Sequence, residues 1–265
     1  MSKWFVVTFF DEKNNCISKQ EYSIGELQKG IRTGSELKCK SVKFEFELDR
    51  EIWKESFFWD ENYIIHEIKN FAYLYKKIKF IVNYQVDNEK CKTIYYFKKG
   101  LKDRLNIEML NGYGGSFFET EIDKQIDDFH IEIAFAFRNY SVDNSYLSSY
   151  VNDQLTYEHG THVDALLKGL ARGIVKYFEK HKLSQVWENL EKELCESLIA
   201  VLNIKMKNPR FSGSVKSNLT NNEIVKPIAN YIMNIFFEKI ENDENSMKKL
   251  IHGLKLKRRI KNMRE

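Results

Sequence analysis

Several groups of side chains in this 265-residue chain have the types and spacing to do chemistry. The run Asn208-Pro209-Arg210-Phe211-Ser212-Gly213-Ser214-Val215-Lys216 puts a lysine on a Ser/Gly loop, after an apolar stretch and before a helix start at Asn221 or Asn222. A lysine on such a loop is a mobile point charge suited to phosphate; as a surface side chain it is equally at home in water. His159 and His162 have an H-x-x-H spacing. Only one of them falls in a helical segment and no third ligand is near in sequence, so zinc is not expected. Cys195 beside Glu196 has no histidine nearby to activate a thiol nucleophile. Asn111-Gly112-Tyr113-Gly114-Gly115 is rich in glycine, but the strand-then-helix context of a phosphate cradle is wrong, and the segment reads as a connector.

The elements that must position these groups are legible in the hydrophobic pattern. Val163, Leu166, Leu167, Leu170, Ile174 and Phe178 recur at helical spacing, with Thr161 as cap and Asp164 in the reciprocal place of a capping box. Leu198 to Ile204 is a short apolar run, the mark of a strand covered on both faces. Ile224, Ile228, Ile232 and Phe236 make a further helix, with Pro227 confined to its first turn. Upstream, Trp4–Phe10 and the alternating Ser41–Leu48 predict strands, with a polar piece between them that carries turn signals at Asn14-Asn15 and Gly34. Asp60 caps a helix through Tyr75. Strands follow at Ile78–Val86 and Lys92–Phe97, then a short helix around Leu101–Leu110. Phe129–Arg138 alternates apolar with mostly small or polar residues, and Ser145–Tyr150 is expected to pair with it. This order predicts a mixed sheet with helices on one side. Met247–Glu265 is a basic helix whose ordinary reading is a solvated connector.

Composition narrows the class. At 43% hydrophobic and 14% aromatic the chain is too apolar for disorder. Forty-two basic against 38 acidic residues leave only +4, so bulk charge makes no case for nucleic acid. Four scattered cysteines suit a reducing cytoplasm rather than a disulfide scaffold. No apolar run approaches the ~20 residues of a membrane span, and the expected localisation is cytoplasmic.

Gly160-Thr161-His162 with its helix, the stretch Glu196–Val201 and the run Asn208–Leu219 together resemble the transducer domain of type IIA DNA topoisomerase ATPase subunits, the B-type subunits of gyrase and topoisomerase IV. The order and spacing of the segments carry the likeness, since each motif alone is degenerate. Phe44–Ile52 and Tyr63–Leu74 fit the family's domain junction, and Tyr96–Leu105 fits another of its segments. The resemblance implies an α+β fold: a ribosomal-protein-S5 domain-2-like transducer, left-handed crossover included, preceded by the last strands of a GHKL-type ATPase domain. It divides the chain into 1–58 (incomplete ATPase domain), 59–243 (transducer) and 244–265 (connector). It implies that Lys216 takes the place of the lysine that reaches the γ-phosphate of ATP, with Mg2+ held by ATPase residues that have no match here. The family's Gln-Thr pair before that lysine is Ser214-Val215 in this chain, and the arginine and glycine around Glu196 are Cys195 and Ser197. Ser214 could still donate one hydrogen bond. The implied partners are double-stranded DNA, which the basic helix Met247–Glu265 would contact through phosphate as a second duty, a gyrase A or topoisomerase IV A-type subunit, and a second B-type subunit on ATP binding. The alternative is a stand-alone degenerate transducer, a DNA-binding or protein-interaction module without ATPase activity.

Overall fold

A computed structural model describes residues 2–11, 16–34, 41–54, 60–86, 89–110, 115–139, 145–183 and 189–264. The chain divides into two compact units, Met1–Ile64 and Ile65–Glu265.

In the first unit β1 (Ser2–Asp11), β2 (Cys16–Ser23), β3 (Glu26–Gly34) and β4 (Ser41–Leu48) form an antiparallel sheet in the order β3-β2-β1-β4. The polar piece between the two expected strands is itself the β2–β3 hairpin, turning at Ile24 and Gly25, both at positive φ. Its residues alternate too weakly in hydrophobicity to announce strands. Asn14-Asn15 lies outside the described residues. A single-turn helix, α1 (Arg50–Trp53), starts where the Asp49 carboxylate accepts from the Glu51 N–H at 3.0 Å.

Helix α2 (Glu61–Leu74) opens as expected, with Asp60 Oδ1 accepting from Tyr63 N at 3.0 Å. Only its last turn (Ala72, Tyr73, Leu74) is buried. The hairpin of β5 (Lys79–Val86) and β6 (Glu89–Tyr96) follows, then α3 (Leu101–Leu110). The larger sheet contains β7 (Ser116–Ile126), β8 (Phe129–Arg138), β9 (Tyr146–Val151), β10 (Gln154–Leu155) and β11 (Leu198–Met206), in the order β10-β9-β11-β8-β7. Between β10 and β11 come α4 (Thr161–Lys180) and α5 (Leu190–Cys195). A 3-10 turn at Asn222–Ile224 leads into α6 (Val225–Asn242) and α7 (Glu244–Arg264).

Two sequence expectations are corrected here. The strand at 145–150 does not pair with β8; β9 runs parallel to β11, which takes the central place against β8. A parallel pair needs a long crossover, and α4 with α5 supplies it. Nor do the helices keep to one side. Phe129, Ile131, Ile133, Phe135 and Phe137 of β8 pack with α4, α6 and α7, while Ala134 and Ala136 on the reverse face receive Leu101 and Leu105 of α3. Alanine leaves room there for a second layer, so β11 is buried on both faces, as its apolar run requires.

The α4–α6 crossing depends on two glycines. A Cβ at Gly169 would lie 2.7 Å from Ile232 Cβ and 2.9 Å from the Ala229 carbonyl oxygen, and one at Gly173 would lie 2.9 Å from Phe236 Cδ1. Pro227 sits in the first turn of α6, where its missing N–H costs nothing. The basic helix α7 buries Met247, Leu250 and Leu254 in the core shared with α4 and α6, while Lys248, Lys249, Lys255 and Arg259 face outward. Among the described residues no helix is long and apolar enough to cross a membrane.

Candidate phosphate-binding loop

The lysine loop leaves β11 at Met206 and is tied down at its base. Asn221, which the sequence offered as a helix cap, makes no cap hydrogen bond. Its buried amide instead clamps the loop: Oδ1 accepts from Arg210 N at 2.7 Å, and Nδ2 donates to the Asn208 carbonyl at 3.1 Å and to Glu223 Oε1 at 2.9 Å. Thr220 N and Oγ1 both donate to the Arg210 carbonyl, at 2.8 and 3.1 Å. Phe211 and Leu219 bridge in antiparallel fashion, and Ser212 N donates to the Asn218 carbonyl at 3.1 Å.

Leu219 then joins the loop to α4, and here the expected capping box is absent. The N-cap is Gly160, not Thr161, and it makes no side-chain cap. Backbone takes over that role: Leu219 N donates to the His159 carbonyl at 3.0 Å, and Thr161 N donates to the Leu219 carbonyl at 2.9 Å. Gly160 has φ +117, and a Cβ there would lie 2.2 Å from the Leu219 carbonyl oxygen. Only glycine permits this approach. Thr161 becomes the first helical residue, with its hydroxyl buried and lacking a hydrogen-bond partner among the described residues.

Beneath the turn lies a polar network that sequence reading took only as a turn and cap. Ser149 Oγ is 2.7 Å from Thr156 Oγ1 and 2.9 Å from His159 Nδ1, and His162 Nε2 is 3.3 Å from Thr156 Oγ1. Burial pushes His162 down to about 3, so its imidazole is neutral at pH 7, and it lowers His159 as well. Both join the loop to the sheet.

From this fixed base the tip projects. Gly213 has φ +121 and Lys216 φ +58, a left-handed pair that turns the chain sharply, with Lys216 N 3.4 Å from the Gly213 carbonyl. Ser214, Val215 and Lys216 are exposed, and neither the Ser214 hydroxyl nor the Lys216 ammonium makes a hydrogen bond or ion pair with a described residue. Beside Val215 opens a cleft of about 400 Å3, lined among others by Tyr75, Tyr150, Asp153 and Tyr157. Asp153 there accepts from Tyr75 Oη at 2.9 Å and Asn203 Nδ2 at 2.6 Å, with Lys205 Nζ at 3.4 Å. The Tyr75 phenol, donating to that carboxylate, is held above its usual range. These residues are distant in sequence, and no local spacing announced them.

The remaining sequence candidates resolve as follows. Glu196 is exposed and closes α5 through its backbone, its N–H donating to the Lys192 carbonyl at 3.3 Å. Cys195 is half-buried, and burial, then the Glu196 charge, pushes its thiol up, away from nucleophile chemistry. Gly115 is described but 111–114 are not, so the glycine-rich connector lies outside the described residues. Asp123, His130 and Glu132 gather ligand atoms on β7 and β8 in a way the sequence did not signal. Lys76 Nζ already stands among them, 2.7 Å from Asp123 and 3.5 Å from Glu132, in the place a cation would take.

Comparison with known proteins gives this geometry a context. The model of the DNA gyrase B family matches residues 82–265, more than half of the chain. The DNA gyrase B protein of Streptococcus pyogenes serotype M3 is 27% identical over 248 residues, covering 91% of this chain and 37% of its own length. That of Streptococcus pneumoniae serotype 4 is 28% identical over 218 residues, covering 81% and 33%. The chain thus spans about a third of the length of these relatives. Among solved structures, the 43K ATPase domain of Thermus thermophilus gyrase B, in complex with an aminocoumarin, superposes on all of this chain and 72% of its own, at TM-score 0.77 and 21% identity. The topoisomerase IV ATP-binding domain of Francisella tularensis, with a small-molecule inhibitor, covers 98% and 70% at TM-score 0.79 and 19% identity. The α+β fold with its mixed sheet is therefore that of part of these ATPase regions. With the family model extending from β5 to the C-terminal helix, the chain belongs to the DNA gyrase B family.

Proposed function

We propose that this chain is the transducer region, with the last strands of a GHKL-type ATPase domain, of a gyrase-B-like type II topoisomerase. In the whole enzyme, an isomerase, ATP binding would close two B-type subunits around double-stranded DNA, with an A-type subunit of gyrase or topoisomerase IV completing the assembly. The observation that carries this reading is the loop: a base fixed by Asn221, Thr220 and Leu219, and a tip from which Lys216 extends with no competing partner among the described residues. Such an arrangement fits a phosphate, since the ammonium gives up no ion pair to reach it and the anchored backbone limits the entropy lost. ATP would supply the γ-phosphoryl group, with Mg2+ held by residues of the remaining ATPase portion. Lys216 would place a full positive charge where negative charge develops, and Ser214 would donate one hydrogen bond. Loss of the γ-phosphate would free the lysine, and the loop base would pass that change to α4 and β11.

The test is Lys216→Ala in a protein that joins this chain to its ATP-binding portion. A fall of about 100-fold in ATP turnover, in the range of a lost electrostatic donor, is expected. Unchanged turnover would remove Lys216 from the site. One feature favours a second reading: Ser214-Val215 stands where the family has Gln-Thr, and serine lacks glutamine's reach. On that reading the chain is a stand-alone transducer that binds DNA or protein without nucleotide. Its signature is duplex binding that weakens steeply with salt and ignores ATP.

A further inference from the structure

The cleft beside Val215 has a fixed wall. It is the two-residue turn Asn152-Asp153 between β9 and β10, with both residues at positive φ (+50 and +67), as a tight hairpin requires. Strand β11 holds that turn: Asn152 Oδ1 accepts from Met206 N and Nδ2 donates to the Met206 carbonyl, each at 2.9 Å, and Asn152 N donates to the Ile204 carbonyl at 2.8 Å. The Asp153 carboxylate is engaged by Tyr75, Asn203 and Lys205, whose ammonium also lies 5.6 Å from the centre of the Tyr75 ring. The other carboxylate of the lining is not so engaged. Glu67, half-buried on α2, accepts from the Asn70 amide at 3.3 Å, and no ammonium or guanidinium pairs with it among the described residues. Arg104 donates to Asn70 at 3.2 Å and goes no further, its charge being taken up by Glu108 and the Tyr146 hydroxyl. The same cleft is lined by aromatic rings that the core does not claim: Tyr150 is half-buried, Phe71 44% exposed and Tyr157 71% exposed.

A half-buried carboxylate without a counter-ion, in a cleft faced with aromatic rings, is the complement of an organic cation. The carboxylate neutralises the charge, the negative ring faces attract it, and the hydrocarbon body leaves water. The volume of about 400 Å3 lies at the small end of ligand cavities. An anion is disfavoured by the two carboxylates, and a neutral ligand would leave Glu67 desolvated and unpaired. We infer that this cleft binds a small organic cation, an alkylammonium or amidinium with its charged head on Glu67 and its apolar body against Phe71, Tyr150 and Tyr157. The site goes beyond the phosphate role of the lysine loop and does not depend on it, although Val215 brings the two side by side.

The test titrates this chain with phenethylammonium and benzamidinium and follows amide chemical shifts. Phenethyl alcohol and benzoate serve as controls with a similar body and a different charge. Saturable shifts at Gln154, Leu155 and Val215 are expected for the two cations alone. Binding should weaken about fivefold in Glu67→Gln and about threefold in Tyr157→Ala, and stay unchanged in Glu238→Gln on α6, across the sheet. Added salt should weaken it as well. Glu67 and Tyr157 are partly exposed, and circular dichroism verifies that each variant folds. Absence of saturable shifts would overturn the proposal. So would an alcohol that binds as well as the ammonium, or cation binding that Glu67→Gln leaves intact. Shifts produced only by N-acetylarginine amide would make the occupant a protein side chain and overturn it too. Lys216→Ala should leave cation binding intact, so failure of the nucleotide reading is told apart from failure of this site.

Discussion

At the residue scale, His162 couples the site to pH. Its imidazole is buried to 1% exposure in α4, and burial lowers it from 6.5 to about 3. The folded state therefore binds fewer protons than the unfolded one between those values. Its contribution to stability is complete above pH 6.5 and is lost as the pH falls toward 3. Over the first pH unit below 6.5 the loss approaches about 1.4 kcal/mol per proton. Urea midpoints at pH 7.5 and 5.5 should show this loss, and His162→Gln, which keeps a polar partner for Thr156, should reduce it. An equal slope in the variant would assign the pH dependence elsewhere, for instance to His159, which burial also lowers. Lys216 was legible as a residue because its type and loop context suffice to suggest phosphate. Its freedom from partners was not, since it depends on what stands around the tip.

At the element scale, the loop, β11 and α4 form one unit in which backbone contacts replace the side-chain caps that the sequence suggested. Thr161 looks like a cap because it precedes an amphipathic run. The strand-like Leu219 reaches the helix start first, and Gly160 lets it approach where any side chain would block it. The α4–α6 crossing shows the same principle. Alanine favours a helix over glycine by about 1 kcal/mol, yet a Cβ at Gly169 meets both Ile232 and the Ala229 backbone. Gly169→Ala should therefore destabilise the fold by about 2 kcal/mol, read as a lower urea midpoint at constant slope. Gly173→Ala should cost less, because its nearest obstacle is a ring edge of Phe236 rather than backbone. A stabilised Gly169→Ala protein would show that the two helices sit further apart.

At the scale of the whole molecule, the two units have different standing. The second has a layered core on both faces of its sheet, whereas the first leaves an apolar sheet face in water. On the proposed reading the catalytic glutamate and the magnesium-holding asparagine belong to another portion of the enzyme, and we expect the chain by itself to turn over no ATP under conditions where a full-length gyrase B does. A steady phosphate release that follows the chain through purification, and persists in Lys216→Ala, would contradict that expectation. The basic face of α7 belongs to this scale too. Its apolar stripe is spent on the core, which leaves Lys248, Lys249, Lys255 and Arg259 outward, where either reading of that helix would need them.

Hydrophobic period alone was enough to place α2, α4, α6, β4, β8 and the doubly buried β11 as elements; in α4, α6 and β11 it also stated which faces are covered, whereas only the last turn of α2 is buried and the apolar face of β4 stays exposed. Local type and order were likewise enough to single out the lysine loop and the glycine turn. What tertiary structure decided was pairing. Whether β9 lies beside β8 or β11, whether α3 covers the reverse face, and whether Asn221 caps a helix or clamps a loop are choices among locally equivalent options. They are settled by contacts between residues far apart in sequence, where volume, close backbone approach and the satisfaction of buried polar groups exclude the alternatives.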